Sequence, residues 1–286
     1  MNQDVRLRYW VWWLPVFALV WALAVAVLMP NPGEHIQVHW PLVLVGFFGA
    51  LIGNITAIGG GLVFIPVMLF VYQVPAVESL MLALATQALG MTSGAVSWMK
   101  MGRLPRKSLA WVLPASLAGA TISTYAIHPN SLLVKGLFGP VSILIGLTTL
   151  YLLGRHTIED DLPEGIGLGL VIAGFAGGVL TGWVAIGIGE VLAAFLMLRY
   201  GLHPEKAIGL GVVSLSITSI FLALLHTLNG SVPWEMAAFL GLGAVFGARF
   251  GPFASQWIRV RTMKILFAAV AILDGALFVW QYLRTL

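Results

Sequence analysis

The two halves of this sequence match each other without gaps when one is shifted by 128 residues along the other. Residues 46–49 (GFFG) meet residues 174–177 (GFAG), and residues 57–61 (AIGGG) meet residues 185–189 (AIGIG). Glycines in both segments recur at the same 128-residue shift. This indicates an internal duplication, because chance matches among apolar residues do not keep one shift over such a length. The chain is therefore expected to fold as two related halves.

The composition places both halves in a membrane. Of the 286 residues, 59% are hydrophobic and 9% are charged, whereas a soluble domain carries about 25% charged residues. Apolar runs such as residues 10–29 and 131–153 are long enough to cross a bilayer. The basic residues fall mainly in loops between such runs, so the net charge of +4 does not indicate a nucleic-acid partner. The chain has no cysteine and its six histidines lack metal-ligand spacing, so we expect no metal or other cofactor.

Each half contains the same series of expected helices. A short helix (residues 41–55 or 165–181) leads to a glycine break, and a second short helix (residues 61–72 or 189–200) follows it. At about 1.5 Å per residue, neither short helix comfortably crosses a hydrocarbon core of about 30 Å. Each pair is therefore expected to form a re-entrant hairpin or two bent partial spans. Three spanning segments complete each half: residues 78–99, 108–127 and 132–153 in the first, and residues 206–228, 234–250 and 262–283 in the second.

The charges in the loops predict that the two halves are inverted. With the N-terminus in the cytoplasm, thirteen of the fifteen lysine and arginine residues fall on the cytoplasmic side, and only Lys135 and Arg284 lie outside. This distribution requires each half to cross the membrane an odd number of times, which inverts one half relative to the other. The C-terminus then lies outside, in the periplasm if the membrane is a bacterial inner membrane.

The sequence thus predicts an all-α polytopic membrane protein. It has one N-terminal transmembrane helix and two inverted repeats, each with a glycine-broken helical hairpin and three spanning helices. Residues 1–40 hold the first helix and an outer loop, residues 41–153 the first repeat, residues 154–164 a charged cytoplasmic linker, and residues 165–286 the second repeat. The lipid bilayer is the one partner that this architecture requires.

The glycine breaks are the strongest candidates for a binding site. Inverted repeats bring broken helices together near the bilayer midplane, where the freed backbone groups face a shared cavity. A helix that begins after such a break presents unpaired N–H groups and a partial positive charge, which favour an anion. The alternative is that the glycines only allow tight helix crossing, as small residues do in many membrane bundles. Repetition of the break in both halves favours the ligand interpretation.

Polar residues near the breaks extend the candidate site. The carboxamide of Gln87 needs partners inside a membrane, while Asn54, Thr56 and Thr181 either line the site or cap a helix. The alternative for the other hydroxyl and aromatic side chains is ordinary packing, or a hydrogen bond to a carbonyl of their own helix. The residues expected to bind the substrate are Asn54, Thr56, Gly59, Gly60, Gly61, Gln87, Thr181, Trp183, Gly187, Gly189 and Ser214.

Glu190 is the main candidate for proton coupling. It lies in the first turn of the second-repeat helix, where Leu62 stands in the first repeat, so its carboxylate competes with an anion for the helix end. We expect Glu190 to take up a proton as the anion binds; the alternative is an ordinary helix-start carboxylate. Asp274, an acid within a spanning segment, is a second candidate, and its alternative is a hydrogen bond between two helices. Arg249 is expected to reach a membrane interface rather than the anion.

Residues 53–66, with their Ile-Gly-Gly-Gly-Leu-x-x-x-Pro core, resemble the first-repeat signature of the TauE/SafE sulfite exporter family, also called the sulfonate uptake permease family. The resemblance extends to the duplicated halves, the charged linker and the length. It implies a bacterial inner-membrane transporter of sulfite, organosulfonates and related anions that is coupled to protons. The second repeat departs from the double glycine of the family, because Ile188 stands between Gly187 and Gly189.

We therefore expect a secondary transporter and not an enzyme. It would carry small sulfur-containing anions such as sulfite, sulfoacetate or other organosulfonates, together with protons, by alternating access around the two breaks. An anion channel is the alternative, because broken helices also build pores. An intramembrane enzyme is less favoured, since the sequence has neither a G-x-S-x-G nor an H-E-x-x-H motif.

Overall fold

The computed structural model describes residues 13–56, 59–100, 104–126, 130–154, 159, 162–163, 165–229, 232–254 and 260–285. Within these residues every regular element is helical, apart from one bridge between Glu159 and Leu202. The prediction of an all-α, multi-pass membrane protein is confirmed. In the part of the chain that the structure describes, five helical segments are long and apolar enough to cross a membrane: Pro32–Ile55, Ala76–Lys100, Leu132–Tyr151, Gly167–Val184 and Glu205–Leu228.

The helices of the two halves follow each other in the same order. Helix α1 (Trp13–Leu28) precedes the first repeat. The first half then contains α2 (Pro32–Thr56), α3 (Gly61–Pro66), a π-helical turn (Val67–Val71), α4 (Ala76–Lys100), α5 (Arg106–Tyr125) and α6 (Ser131–Tyr151). The second half contains α7 (Gly167–Val184), α8 (Ile188–Tyr200), α9 (Pro204–Leu228), α10 (Trp234–Ala254) and α11 (Val260–Thr285). Helices α4 and α9 begin and end at positions exactly one repeat apart, so the 128-residue register of the sequence is also a register of the helices.

The first arm of the first broken pair, α2, is longer than the sequence predicts, whereas that of the second pair, α7, is close to its predicted length. Helix α2 begins at Pro32 and runs for 25 residues with Pro41 inside it, so the boundary predicted at residue 40 lies within a helix. Proline suits the first helical position, and the ring of His39 packs 5.6 Å from the ring of Phe239 in α10. Both first arms, α2 and α7, are long enough to span. The predicted bounds 41–55 were therefore too short for α2, whereas the course of the two arms through the membrane stays a prediction.

The other predicted segments are also helical, but they are not among the candidate membrane spans. The second arms stay short, since α3 and its π-helical turn cover Gly61–Val71 and α8 has 13 residues. The segments predicted at 108–127, 234–250 and 262–283 are helical as α5, α10 and α11, but they are not among the five helices above. Of the first predicted span, residues 10–12 lie outside the described residues, and α1 is a 16-residue apolar helix.

Each half packs into the other through equivalent glycines. A Cβ atom on Gly247 of α10 would collide with the carbonyl oxygen of Phe47 in α2, and one on Gly119 of α5 would collide with that of Phe175 in α7. The two contacts are one repeat apart on both sides. Small residues let helix backbones approach this closely. The first arm of each half is therefore held by a helix of the other half.

Helices α4 and α9 form an antiparallel pair between the halves. The hydroxyl oxygens of Thr92 and Ser216 lie 2.9 Å apart, and the hydroxyl of Ser219 donates a hydrogen bond of 3.3 Å to the side-chain oxygen Oε1 of Gln87. Residue numbers thus rise along one helix as they fall along the other. Because the two helices are repeat counterparts, their opposite directions are what an inverted repeat requires. The inverted layout across a membrane itself stays a prediction.

The antiparallel pair makes this topology testable in a chain without native cysteine. Leu228 ends α9, Lys107 lies in the first turn of α5 soon after the end of α4, and both side chains are exposed. In spheroplasts we expect Leu228→Cys to react with a membrane-impermeant maleimide. We expect Lys107→Cys to react only after permeabilisation, because it begins α5 directly after a basic connection that should be cytoplasmic. Equal labelling of both cysteines from outside would contradict the inverted layout.

Candidate functional site

The two glycine breaks lie in direct contact. Helix α2 ends at Thr56 and α3 begins at Gly61, while α7 ends at Val184 and α8 begins at Ile188. Ala185, in the second break, has a left-handed backbone with φ of 55°. A Cβ atom on Gly61 would lie 2.8 Å from the carbonyl oxygen of Ala185, and one on Gly59 would lie 3.0 Å from the same oxygen. Glycine is therefore needed in the first break because the backbone of the second break touches it.

The carboxylate of Glu190 joins the two breaks. Its Oε1 accepts a hydrogen bond of 2.5 Å from the backbone N–H of Gly59, and its Oε2 accepts one of 2.8 Å from the N–H of Gly187. Glu190 is 7% exposed and lies in the first turn of α8. A carboxylate at the third position of a helix commonly reaches back to its N-terminus, which accounts for the bond to Gly187. The bond to Gly59 adds an amide donor from the other half of the chain.

Gln87 of α4 supports the contact between the breaks. Its Nε2 donates a hydrogen bond of 2.8 Å to the carbonyl oxygen of Ala185, and its Oε1 accepts from Ser219 of α9. Both Gln87 and Ser219 are buried. The carboxamide thus fixes the second break against the central α4–α9 pair. This agrees with the expectation that Gln87 needs polar partners inside the protein.

Thr181 caps the helix that carries Glu190. Its hydroxyl donates to the carbonyl oxygen of Gly177 at 2.8 Å and accepts from the N–H of Ile188 at 2.9 Å. One unpaired amide at the start of α8 is satisfied in this way. Of the two roles that the sequence left open for Thr181, the structure shows the capping role, and a role in lining the site stays a prediction.

Asn54 lies near the end of α2 and is fully buried. Its Nδ2 donates to the carbonyl oxygen of Ala50 at 3.0 Å and lies 3.3 Å from the sulfur of Met91. Its Oδ1, packed against Gly94, has no hydrogen-bond partner in the part of the chain that the structure describes. A buried acceptor of this kind has an unmet requirement for a donor.

The remaining candidate residues lie in or next to α2, α3, α7, α8 and α9. Gly60 packs against the ring of Phe64, and Gly189 lies buried in the first turn of α8. Trp183 is half-buried at the end of α7. Ser214 is buried in α9, and its hydroxyl has no partner among the described residues. Thr56 is the last residue of α2, and its side chain lies outside the described part.

Asp274 is remote from the breaks in the fold. It lies half-buried on α11, which packs antiparallel to α6 through close contacts such as that of Gly275 with the backbone of Gly139. No hydrogen bond joins Asp274 to either break within the described residues. A direct role beside Glu190 therefore has no geometric support.

Two groups at the site, and one cation elsewhere in the bundle, had no clear signal in the sequence. The carbonyl group of Ala185 and the hydroxyl group of Ser219 enter through long-range contacts, and the repeat counterpart of Ser219 is Met91, which gives no hint of a polar role. Arg249 was expected at an interface, yet its side chain is 1% exposed. It donates to Ser97 Oγ at 3.2 Å, which provides a polar partner inside the bundle.

The contact between the breaks predicts a specific sensitivity to added volume. We expect Gly61→Ala to lower the thermal unfolding midpoint of the purified protein, because its Cβ would press on the rigid Ala185 carbonyl. Overpacking of this kind costs about 1–3 kcal/mol. Gly33→Ala is the matched control, since a Cβ there would meet nothing within 4 Å. If the two variants unfold at the same temperature as the original chain, the breaks do not touch.

Comparison with known proteins gives a consistent result. A family model described as sulfite exporter TauE/SafE matches residues 42–278. The chain is 25% identical over 268 residues to "Probable membrane transporter protein YunE" of Bacillus subtilis, covering 84% of this chain and 97% of that protein. It is 23% identical over 255 residues to a probable membrane transporter protein of Methanocaldococcus jannaschii, covering 80% and 91% respectively. No solved structure matches the chain significantly.

Proposed function

Because the chain belongs to the sulfite exporter TauE/SafE family, we propose that it is a secondary active transporter of small sulfur-containing anions, such as sulfite, sulfoacetate or other organosulfonates. The names of its matched relatives describe membrane transporters. The observation that carries the proposal is the pair of hydrogen bonds from Gly59 and Gly187 to one carboxylate. Amide donors from both breaks already hold one anionic group, so the same donors suit the oxygens of a sulfite or sulfonate.

Glu190 couples the anion to a proton in this proposal. A protonated carboxyl group is neutral, so it accepts hydrogen bonds from the amides of Gly59 and Gly187 more weakly than the carboxylate does. An incoming anion then replaces it as the acceptor of these hydrogen bonds. When the anion leaves, the carboxyl group loses its proton and the carboxylate returns to the amides. One proton therefore moves with each anion, in the same direction.

The energetics favour weak binding, which a carrier needs for release. Removing an ion completely from water costs tens of kcal/mol, whereas one helix N-terminus contributes at most about 2 kcal/mol. The two breaks alone therefore do not hold a dry anion. Gln87 places a carboxamide beside them, and in this proposal the anion keeps part of its hydration shell.

The packing of the two halves suits alternating access. The first arm of each half is held by a helix of the other half, and the α4–α9 pair lies between them. Rocking of the halves around the breaks would open the site to one side of the membrane at a time. The bacterial inner membrane, a cytoplasmic N-terminus and a periplasmic C-terminus belong to the same proposal.

Replacement of Glu190 tests the coupling. In proteoliposomes, we expect the original chain to take up labelled sulfite or sulfoacetate faster when the outside is acidic and the inside alkaline. Glu190→Gln cannot take up the proton, so its uptake down a substrate gradient should continue but should not respond to the pH gradient. Glu78→Gln, which removes an exposed carboxylate from the first turn of α4, is the matched control and should keep the response.

Two results would overturn this mechanism. A pH response in Glu190→Gln equal to that of the original chain excludes Glu190 as the coupling group. Flux that does not saturate with substrate and does not respond to the proton gradient in the original chain indicates a channel instead of a carrier.

Binding can also be measured without a gradient. We expect sulfite or sulfoacetate to raise the thermal unfolding temperature of the purified chain, and to do so more in acidic than in alkaline buffer, because protonated Glu190 leaves the amides available. A ligand at one hundred times its Kd stabilises a protein by about 2.7 kcal/mol. Chloride is the control anion. Stabilisation that is equal for all anions at both acidities contradicts a site built on Glu190.

A further inference from the structure

A long apolar groove lies on the outside of the bundle, away from the glycine breaks. It has a volume of about 700 Å³ and lies between α1, α4, α9 and α10. Several side chains along it are exposed, among them Leu89, Ile220, Leu224 and Trp234. Because exposed apolar side chains of a membrane protein face lipid, the groove opens toward the hydrocarbon core.

The hydroxyl groups in the wall do not make the groove polar. Thr92 donates to the carbonyl oxygen of Ala88, Ser93 to that of Val245, and Thr227 to that of Ala223. Each of these hydroxyls therefore has a partner within the protein. The occupant meets mainly carbon atoms along the groove.

Two cationic side chains line one end of this groove. Lys100 ends α4 and is exposed. Arg249 of α10 lies buried behind the wall beside Ser97, three residues before Lys100, with its guanidinium 5.5 Å from the ring of Trp13 in α1. The distance along α4 from Ala88 to Lys100 is about 18 Å at 1.5 Å per residue. This is close to the hydrocarbon thickness of one leaflet, about 15 Å.

Helix α1 fixes the outer wall of the groove. It precedes the first repeat, and its Trp13 and Phe17 line the groove. The indole N–H of Trp21 donates a hydrogen bond of 2.9 Å to the carbonyl oxygen of Ala238, which attaches α1 to α10. The groove is thus a built feature of the fold and not a gap between unattached helices.

We propose that this groove binds one acidic glycerophospholipid. An acyl chain lies against α4 and α9, and the headgroup phosphate lies beside the exposed Lys100, with the buried positive charge of Arg249 behind the wall. The apolar wall excludes a small hydrophilic sulfonate as the occupant, and the two cations select an anionic headgroup over a zwitterionic one. On the predicted topology, the headgroup belongs to the cytoplasmic leaflet. This inference does not rest on the proposed transport function.

Lipid titration of the intact chain tests the proposal. Native mass spectrometry of the purified protein would measure the binding of the first molecule of dioleoyl-phosphatidylglycerol and of dioleoyl-phosphatidylcholine. We expect phosphatidylglycerol to bind more tightly. Lys100→Gln should weaken its binding about five-fold, the effect of one basic residue near a phosphate, and should leave phosphatidylcholine unchanged. Val96→Phe should weaken both lipids, because its larger side chain fills the groove.

Two matched controls separate the groove from the rest of the lipid-facing surface. Lys135→Gln removes a cation from α6, and Ala276→Phe adds a ring to an exposed position of α11; both should bind lipid as the original chain does. Equal binding of the two lipids by the original chain overturns the anionic specificity. Wild-type binding in Val96→Phe overturns the location. If Val96→Phe fails to fold, equal effects of Lys100→Gln and Lys135→Gln still overturn the proposal.

Discussion

The structure depends on one carboxylate that is shared by two broken helices. The carboxylate of Glu190 accepts one hydrogen bond from a backbone N–H group of each break, and the partners Gly59 and Glu190 are 131 residues apart in the chain. The start of a helix attracts negative charge, and a break between helices leaves amides without partners. Both requirements are met by one side chain at the contact between the halves. Glu190 thereby holds the breaks together, and in the proposed mechanism it occupies the place that the anion takes.

The scaffold around this carboxylate is nearly symmetric, but its polar groups are not. The contact of Gly119 with Phe175 repeats that of Gly247 with Phe47. The repeat counterpart of Glu190 is Leu62, and that of Gln87 is Leu215. Equivalent backbone packing therefore surrounds a single polar centre. Two symmetric copies would bring two carboxylates together, and like charges at short range destabilise each other.

The sequence predicted those features that depend on local pattern and repeat register. The long apolar segments at 78–99 and 206–228 became α4 and α9 with boundaries within two residues, because length and hydropathy decide a spanning helix. The breaks were predicted because glycine is unfavourable inside a helix. The early start of α2 was missed, since Pro41 and the polar residues before it are typical of a loop. Packing on α10 outweighs that local preference.

The site was predictable only in part, because its contacts join residues far apart in the chain. The bond from Glu190 to Gly187 follows from a local capping pattern, whereas the bond to Gly59 needs the halves to be assembled. The same holds for Gln87, whose partners Ala185 and Ser219 lie in the other half. The bond of Glu190 to Gly59 and the two bonds of Gln87 all cross the boundary between the repeats. A movement that separates the halves at this contact must therefore break them, and a group that replaces the Glu190 carboxylate at the two amides removes one of the polar connections that resist such a movement.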